Sequence, residues 1–291
     1  MSPCPVCGHE LRADLLPWLF RCPGCGFERS SLGDRIANAA AREAIDESAR
    51  AAALGTIRER NFRAILDALG RLRPQRGRLL DVGCAHGWFL RAAAADGWRA
   101  LGIEPDERIA QVAREGGGEV RTGLFPAALA EGETFDAIAF NDVFEHLPDV
   151  DEALRSCKRA LVPGGLLAIN LPDARGPFYR AARALARAGL RSPLERLWQK
   201  EFPSPHLSYF TAPLLRRLLL KHGFSPVHGA RLASVALRGL WSRLRYDRSS
   251  RHGVSYGVPG SLAVFAATCA LLPALRILPP DISLEIFERS G

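Results

Sequence analysis

The sequence predicts an α/β protein built on an open, largely parallel sheet, and three features carry that expectation. The first is the apolar run Leu79, Leu80 and Val82, of the kind that forms a strand buried on both faces. The second is the abrupt change at Gly83, where small residues and a further glycine, Gly87, allow a tight turn before Trp88, Phe89 and Leu90 restore a helix-like pattern. The third is a second strand pattern over residues 98–103, ending on Glu104. A strand, glycine turn and helix in this order expose backbone N–H groups at the carboxyl edge of a sheet, where open α/β folds bind nucleotides and related ligands. A carboxylate about twenty residues beyond the turn is placed to reach ribose hydroxyls.

Asp81-x-Gly83-x-Ala85-x-Gly87 followed by Glu104 resembles the cofactor signature of class I S-adenosylmethionine-dependent methyltransferases, the ubiquinone-biosynthesis-like, type 11 and 23 group. Ala85 stands where that signature usually has glycine. The spacing does not give G-x-G-x-x-G, which argues against a dinucleotide site. The resemblance implies a Rossmann-like, seven-stranded methyltransferase sheet, with S-adenosylmethionine held by Asp81, Gly83, Cys84, Ala85, Gly87, Glu104, Pro105, Gly123, Leu124, Asn141 and Asp142. Asp81 would serve the methionine amino end, Glu104 the ribose, Gly123 and Leu124 the adenine, and Asn141 the sulfonium.

The rest of the chain fills in that sheet. Residues 33–72 are alanine-rich, with Ile57, Asn61, Ile65, Leu66 and Leu69 at helical spacing, which suits a lid or packing helix ahead of the first strand. Pro105 and the acids around it start a helix that Gly116, Gly117 and Gly118 stop. Strands are expected over 119–122, 135–140 and 166–171, with Pro163, Gly164 and Gly165 ending the helix before the last of these. Residues 227–232 and 283–289 read as the final two strands, separated by a long insertion. The expected organisation is a ribbon over 1–32, a helical lid or linker over 33–76, and a methyltransferase domain over 77–291 with insertions at 174–203 and 233–280.

Four of the seven cysteines lie within the first 25 residues, as two Cys-Pro-x-Cys-Gly knuckles. Cys4, Cys7, Cys22 and Cys25 supply four thiolates for a tetrahedral zinc ion, and such a closed set has no open position for substrate. His9 is surplus to it. The chain starts without an apolar leader, so a reducing, cytoplasmic setting is expected.

Two histidines suggest chemistry. His146, with Glu145 beside it to orient it, could take a proton from an acceptor hydroxyl, and His206 is a second candidate base in a segment that the resemblance lays over the active site. The competing account gives both histidines to loop structure. The net charge of +8 is concentrated between Ala174 and His252, where 16 Lys or Arg face Glu195, Glu201 and Asp247 alone. Arg180, Arg183, Arg187 and Arg191 are spaced to share one helix face, while Phe178, Ala182, Leu185 and Ala186 lie elsewhere. An almost wholly apolar run over 262–278 is short for a bilayer span and suits a buried or interfacial helix. These additions favour a small or lipid-linked acceptor, methylated on oxygen, and an anionic membrane surface at the inner face. An RNA methyltransferase and a cofactor-binding module without transfer are the rival readings.

Overall fold

The computed structural model describes residues 3–33, 47–233 and 281–291. The expected apolar helix over 262–278 and the basic stretch before it lie outside the described residues.

Seven strands form the central sheet: β4 (Arg78–Val82), β5 (Arg99–Glu104), β6 (Glu119–Thr122), β7 (Phe135–Asn141), β8 (Leu161–Pro172), β10 (Phe224–Leu232) and β11 (Ile282–Arg289). Their order is β10-β11-β8-β7-β4-β5-β6. β4, β5, β6, β7 and β8 run parallel, and β11 is antiparallel to both β8 and β10. The strand order reverses at β4, which lies between β5 and β7, so the crevice beyond its carboxyl end is where such a sheet receives a ligand.

Alternation along the strands divides the core. Leu79, Ala137, Ala139, Leu166 and Ala168 face helix α1 (Glu47–Leu72) and helix α2 (Trp88–Ala95), meeting Ile65, Leu69, Phe89 and Trp98. Leu80, Ile138, Phe140, Leu167 and Ile169 face the other way, against helix α4 (Val150–Ala160) and helix α7 (Ala212–Lys221). The period of two along each strand is what delivers one set to each face. Helix α3 (Glu107–Glu115) starts at Asp106, whose carboxylate accepts from Arg108 N at 3.0 Å and caps it.

Pro163, Gly164 and Gly165 do not end the helix as expected. α4 stops at Ala160, and the next residue is already in β8. Phe135 pairs with Leu161 and Ala137 with Leu166, so residues 162–165 bulge out of the strand. Gly164 has φ +72°, and a Cβ on Gly165 would lie 2.8 Å from the Val162 carbonyl oxygen. Glycine is required by the bulge itself.

The N-terminal ribbon comprises β1 (Arg12–Ala13), β2 (Leu19–Arg21) and β3 (Glu28–Ser30). Its sheet is completed by β9 (Ser208–Tyr209) from the main body, with Glu28 opposite Tyr209 and Arg29 opposite Ser208. Helix α5 (Pro177–Arg187) and helix α6 (Ser192–Leu197) pack on the ribbon through Leu16, Leu19, Tyr179, Leu194, Trp198 and Tyr209.

That packing overturns the expected arginine face. Arg180, Arg187 and Arg191 are exposed, but Arg183 is buried, 2.8 Å from Asp14 Oδ2 and 3.0 Å from Glu28 Oε1. The Tyr179 hydroxyl donates to Glu28 and receives the Trp198 indole N–H at 3.2 Å. Phe178 and Leu185 are instead on the exposed side. Spacing orders the arginines on the helix, but two acids from the ribbon decide which side turns inward.

Ala85 has φ +45°, in the left-handed region that a Cβ disfavours. Ala85→Gly is therefore expected to raise the stability of the free protein by about 1 kcal/mol in urea unfolding. Arg183→Ala takes the nearest cation from buried Glu28 and half-buried Asp14 and is expected to cost about 3 kcal/mol in the same measurement.

Candidate functional site

A cavity of about 660 Å³ opens at the carboxyl ends of β4, β5 and β7. Its floor is the turn after β4. Gly83 N and Cys84 N donate to the Ile103 carbonyl at 2.8 and 3.1 Å, which pins the turn to β5. Gly83 and Gly87 both have φ +70°, and a Cβ on Gly83 would meet Val143 Cγ2 at 2.7 Å. The Cys84 side chain is buried beneath the turn, where burial pushes its thiol well above the usual range.

Glu104 is the hub of this side. Its Oε2 accepts from Ala85 N and its Oε1 from Asp106 N, both at 3.0 Å, so one carboxylate fixes the glycine turn and the start of α3. Asp81 is buried, and its Oδ1 accepts from Asn141 Nδ2 at 2.9 Å. Burial pushes the Asp81 carboxyl up to about 7; the Asn141 hydrogen bond opposes the rise and the neighbouring Glu104 charge adds to it. Asp142 has φ +56° and accepts from Asn170 Nδ2 at 3.0 Å. Pro105, Gly123 and Leu124 complete this half, with Leu124 largely exposed as an apolar shelf. All eleven residues expected at the cofactor, with the exception of Gly87, line the cavity, and Gly87 closes the turn beneath it through its N–H to the Cys84 carbonyl at 2.9 Å.

The other half of the cavity is walled by Phe62 from α1, Trp88 from α2, His146 and Leu147 from the loop after β7, and Phe202 and Ser204 from the segment after α6. His146 Nδ1 lies 2.9 Å from the Pro205 carbonyl and 3.2 Å from Ser204 Oγ. A carbonyl only accepts, so the proton sits on Nδ1 and the basic lone pair on Nε2.

The structure gives Glu145 and His206 different parts from His146. Both are buried behind the cavity wall. Burial and then the nearby Asp142 charge push the Glu145 carboxyl well above its usual range, which favours the neutral acid. Burial and then His146 push His206 well below its usual range, so its imidazole is neutral too. His206 Nε2 is 2.9 Å from Gln199 Nε2 and 3.9 Å from Glu145 Oε1. The orienting bonds at His146 Nδ1 thus come from Pro205 and Ser204, where Glu145 was expected to act. Donor atoms of Glu145, His146 and His206 nevertheless converge within 4.8 Å of one another. Gln199, at φ +51°, also lines the cavity, and the sequence carries no local signal for it.

The four N-terminal thiols converge as the spacing implied. Cys4 Sγ lies 3.6 Å from Cys25 Sγ, and Cys7 Sγ 3.3 Å from Cys22 Sγ. Tetrahedral Zn–S bonds of about 2.3 Å require sulfur separations of about 3.8 Å, and four thiols within 4.8 Å of one another are a donor set compatible with that ion. Gly8 and Gly26, at φ +79° and +82°, turn each knuckle back on the carbonyl of its first cysteine.

The family model described as a methyltransferase domain matches residues 54–228. The chain is 32% identical over 186 residues to a ubiquinone biosynthesis O-methyltransferase of Caulobacter sp. (strain K31), covering 61% of this chain and 71% of that protein. The corresponding protein of Hahella chejuensis is 36% identical over 94 residues, 30% of this chain and 40% of its own length. An S-adenosylmethionine-dependent methyltransferase from Mesorhizobium loti shares the fold at TM-score 0.51 and 20% identity, over 77% of this chain and 96% of that one. Haemonchus contortus phosphoethanolamine N-methyltransferase 2, solved with S-adenosyl-L-methionine, does so at TM-score 0.53 and 17% identity, over 79% and 53%. With the family match spanning more than half the chain, and the signature turn, Glu104 and the reversed strand order assembled around one cavity, the chain belongs to the class I S-adenosylmethionine-dependent methyltransferases.

Proposed function

We propose that the enzyme methylates a hydroxyl of a small or lipid-linked acceptor, and that zinc fills the Cys4, Cys7, Cys22 and Cys25 set. The setting of His146 carries this reading: it faces the apolar half of the cavity with its Nδ1 proton directed to the Pro205 carbonyl. Bound S-adenosylmethionine supplies an electrophilic methyl group on a sulfonium. Around it, the glycine turn and Glu104 hold the ribose end, Asp81 faces the methionine ammonium, and Phe62, Trp88, Leu147 and Phe202 exclude water from the acceptor half. His146 Nε2 takes the hydroxyl proton as the acceptor oxygen attacks, and alignment of the two reactants supplies much of the rate. The O-methyltransferase names of the relatives support the choice of oxygen.

The lipid-linked option is supported by the outer surface of α5, where exposed Phe178 and Leu185 run along one flank and exposed Arg180 and Arg187 along the other, with Leu190 and Arg191 just beyond. An exposed helix side with one apolar and one arginine-bearing flank suits an anionic amphiphile or membrane surface. Among the described residues no helix is long and apolar enough to cross a membrane.

Glu104→Ala is expected to abolish the heat of S-adenosylhomocysteine binding in calorimetry, since it frees both the turn and α3. The cationic donor stabilises the ionised form of Asp81, which in the free protein is only half ionised near pH 7. Affinity is therefore expected to rise with pH, by about tenfold between pH 6 and pH 8. Transfer of radioactive methyl label into lipid extracts tests the acceptor class; label entering RNA alone would reject it. His146→Ala is expected to lower turnover by about a hundredfold or more while S-adenosylhomocysteine still binds. Unchanged turnover would remove the base.

A further inference from the structure

One group of the hydrogen bonds that tie the ribbon to the main body, distinct from those of Tyr179, Arg183 and Lys221, converges on the wall that holds His146. Ser30 Oγ donates to the His206 carbonyl at 2.8 Å and Ser30 N to the Leu207 carbonyl at 3.0 Å. Leu207 N then donates to the Glu145 carbonyl at 2.8 Å, which joins the segment after α6 to the loop after β7. Arg29 Nη2 reaches the Pro148 carbonyl at 2.7 Å. Apolar contact follows the same route, since the Phe27 ring lies 5.0 Å from that of Phe210, and Phe210 lies 5.8 Å from Phe144, the residue before Glu145. Ser204 and Pro205, the two partners of His146 Nδ1, are at the head of the segment that β3 grips.

The ribbon has little structure of its own to keep β3 in place. Its strands are two or three residues long, and Cys4, Cys22 and Phe27 are among its few buried apolar side chains. A segment of this size depends on its metal for folding.

We propose that the ribbon is part of the acceptor wall: Ser30 and Arg29 are positioning residues that set His146 through residues 204–207, and zinc at the cysteine set maintains that position. The cofactor half is held by a separate set of bonds, centred on Glu104, so the two halves respond differently to loss of the metal. This rests on the reading that the His146 half receives the acceptor.

The test uses the full-length, zinc-loaded protein, the same protein stripped by a strong chelator, and the variants Ser30→Ala and Ser30→Thr. Three quantities are read: amide hydrogen exchange, the His146 imidazole NMR signals, and S-adenosylhomocysteine affinity by calorimetry. Ser30→Ala and metal removal are each expected to speed exchange about tenfold or more at residues 145–148 and 204–210 and to shift the His146 signals, a local opening. Affinity for S-adenosylhomocysteine stays within about twofold, the independence expected of sites without shared partners. Ser30→Thr, which keeps the hydroxyl, restores both the exchange rates and the signals. Unchanged exchange and unchanged His146 signals after metal removal would overturn the proposal. So would a loss of S-adenosylhomocysteine binding in parallel with faster exchange throughout the sheet, because the ribbon would then be a staple for the whole fold. A wrong acceptor class would show separately, as methyl label in RNA alone while the exchange pattern holds.

Discussion

One carboxylate organises the glycine-turn half of the cavity. Glu104 stands at the end of β5 and accepts from the backbone of two different loops, Ala85 N on one side and Asp106 N on the other. A buried charge is tolerated only when its oxygens are satisfied, so the loops and the carboxylate depend on each other. The turn carries its own strain, with Ala85 in a region that glycine would occupy without penalty. Asp81 is forced upward in pKa in part by Glu104, so the site holds negative potential ready for a cationic ligand. That electrostatic bias belongs to the sheet edge itself.

The His146 half of the cavity is built on the opposite principle. Glu145 and His206 are both buried and both favoured in their neutral forms, so they form a polar knot behind the wall. His146 is the member that reaches the cavity, and its tautomer is set by a main-chain carbonyl. A carbonyl cannot lose its accepting role through a change of protonation, so the Nδ1 hydrogen bond holds the ring in place. The loop after β7 thus combines an ionisable residue with a fixed orientation.

Much of the fold was legible because its signals are local. Leu79-Leu80 and Ala137-Ile138 alternate within a few residues, and the glycine turn and Glu104 lie within one β-α-β unit. The cysteine knuckles were legible for the same reason. What escaped depends on distant partners or on groups every residue shares. The burial of Arg183 follows from Asp14 and Glu28, far back in the chain. The setting of His146 comes from the carbonyl of Pro205, which any residue would have supplied. β9 is two residues long and shows no period. Pro163-Gly164-Gly165 was misread because the same residues punctuate a helix end and a strand bulge.

The pairing of β10 with β11 has an evolutionary consequence. Leu232 and Ile282 are direct partners, so the chain leaves and re-enters the sheet at neighbouring points on one rim. Asn61 holds the departing end at Ala233, and Asp173 N holds the returning end at the Asp281 carbonyl. Closing a longer loop between fixed ends costs only slowly more entropy, since each doubling adds about 0.6 kcal/mol. This rim is therefore a port at which new sequence can be acquired, traded or trimmed during divergence without disturbing the catalytic body.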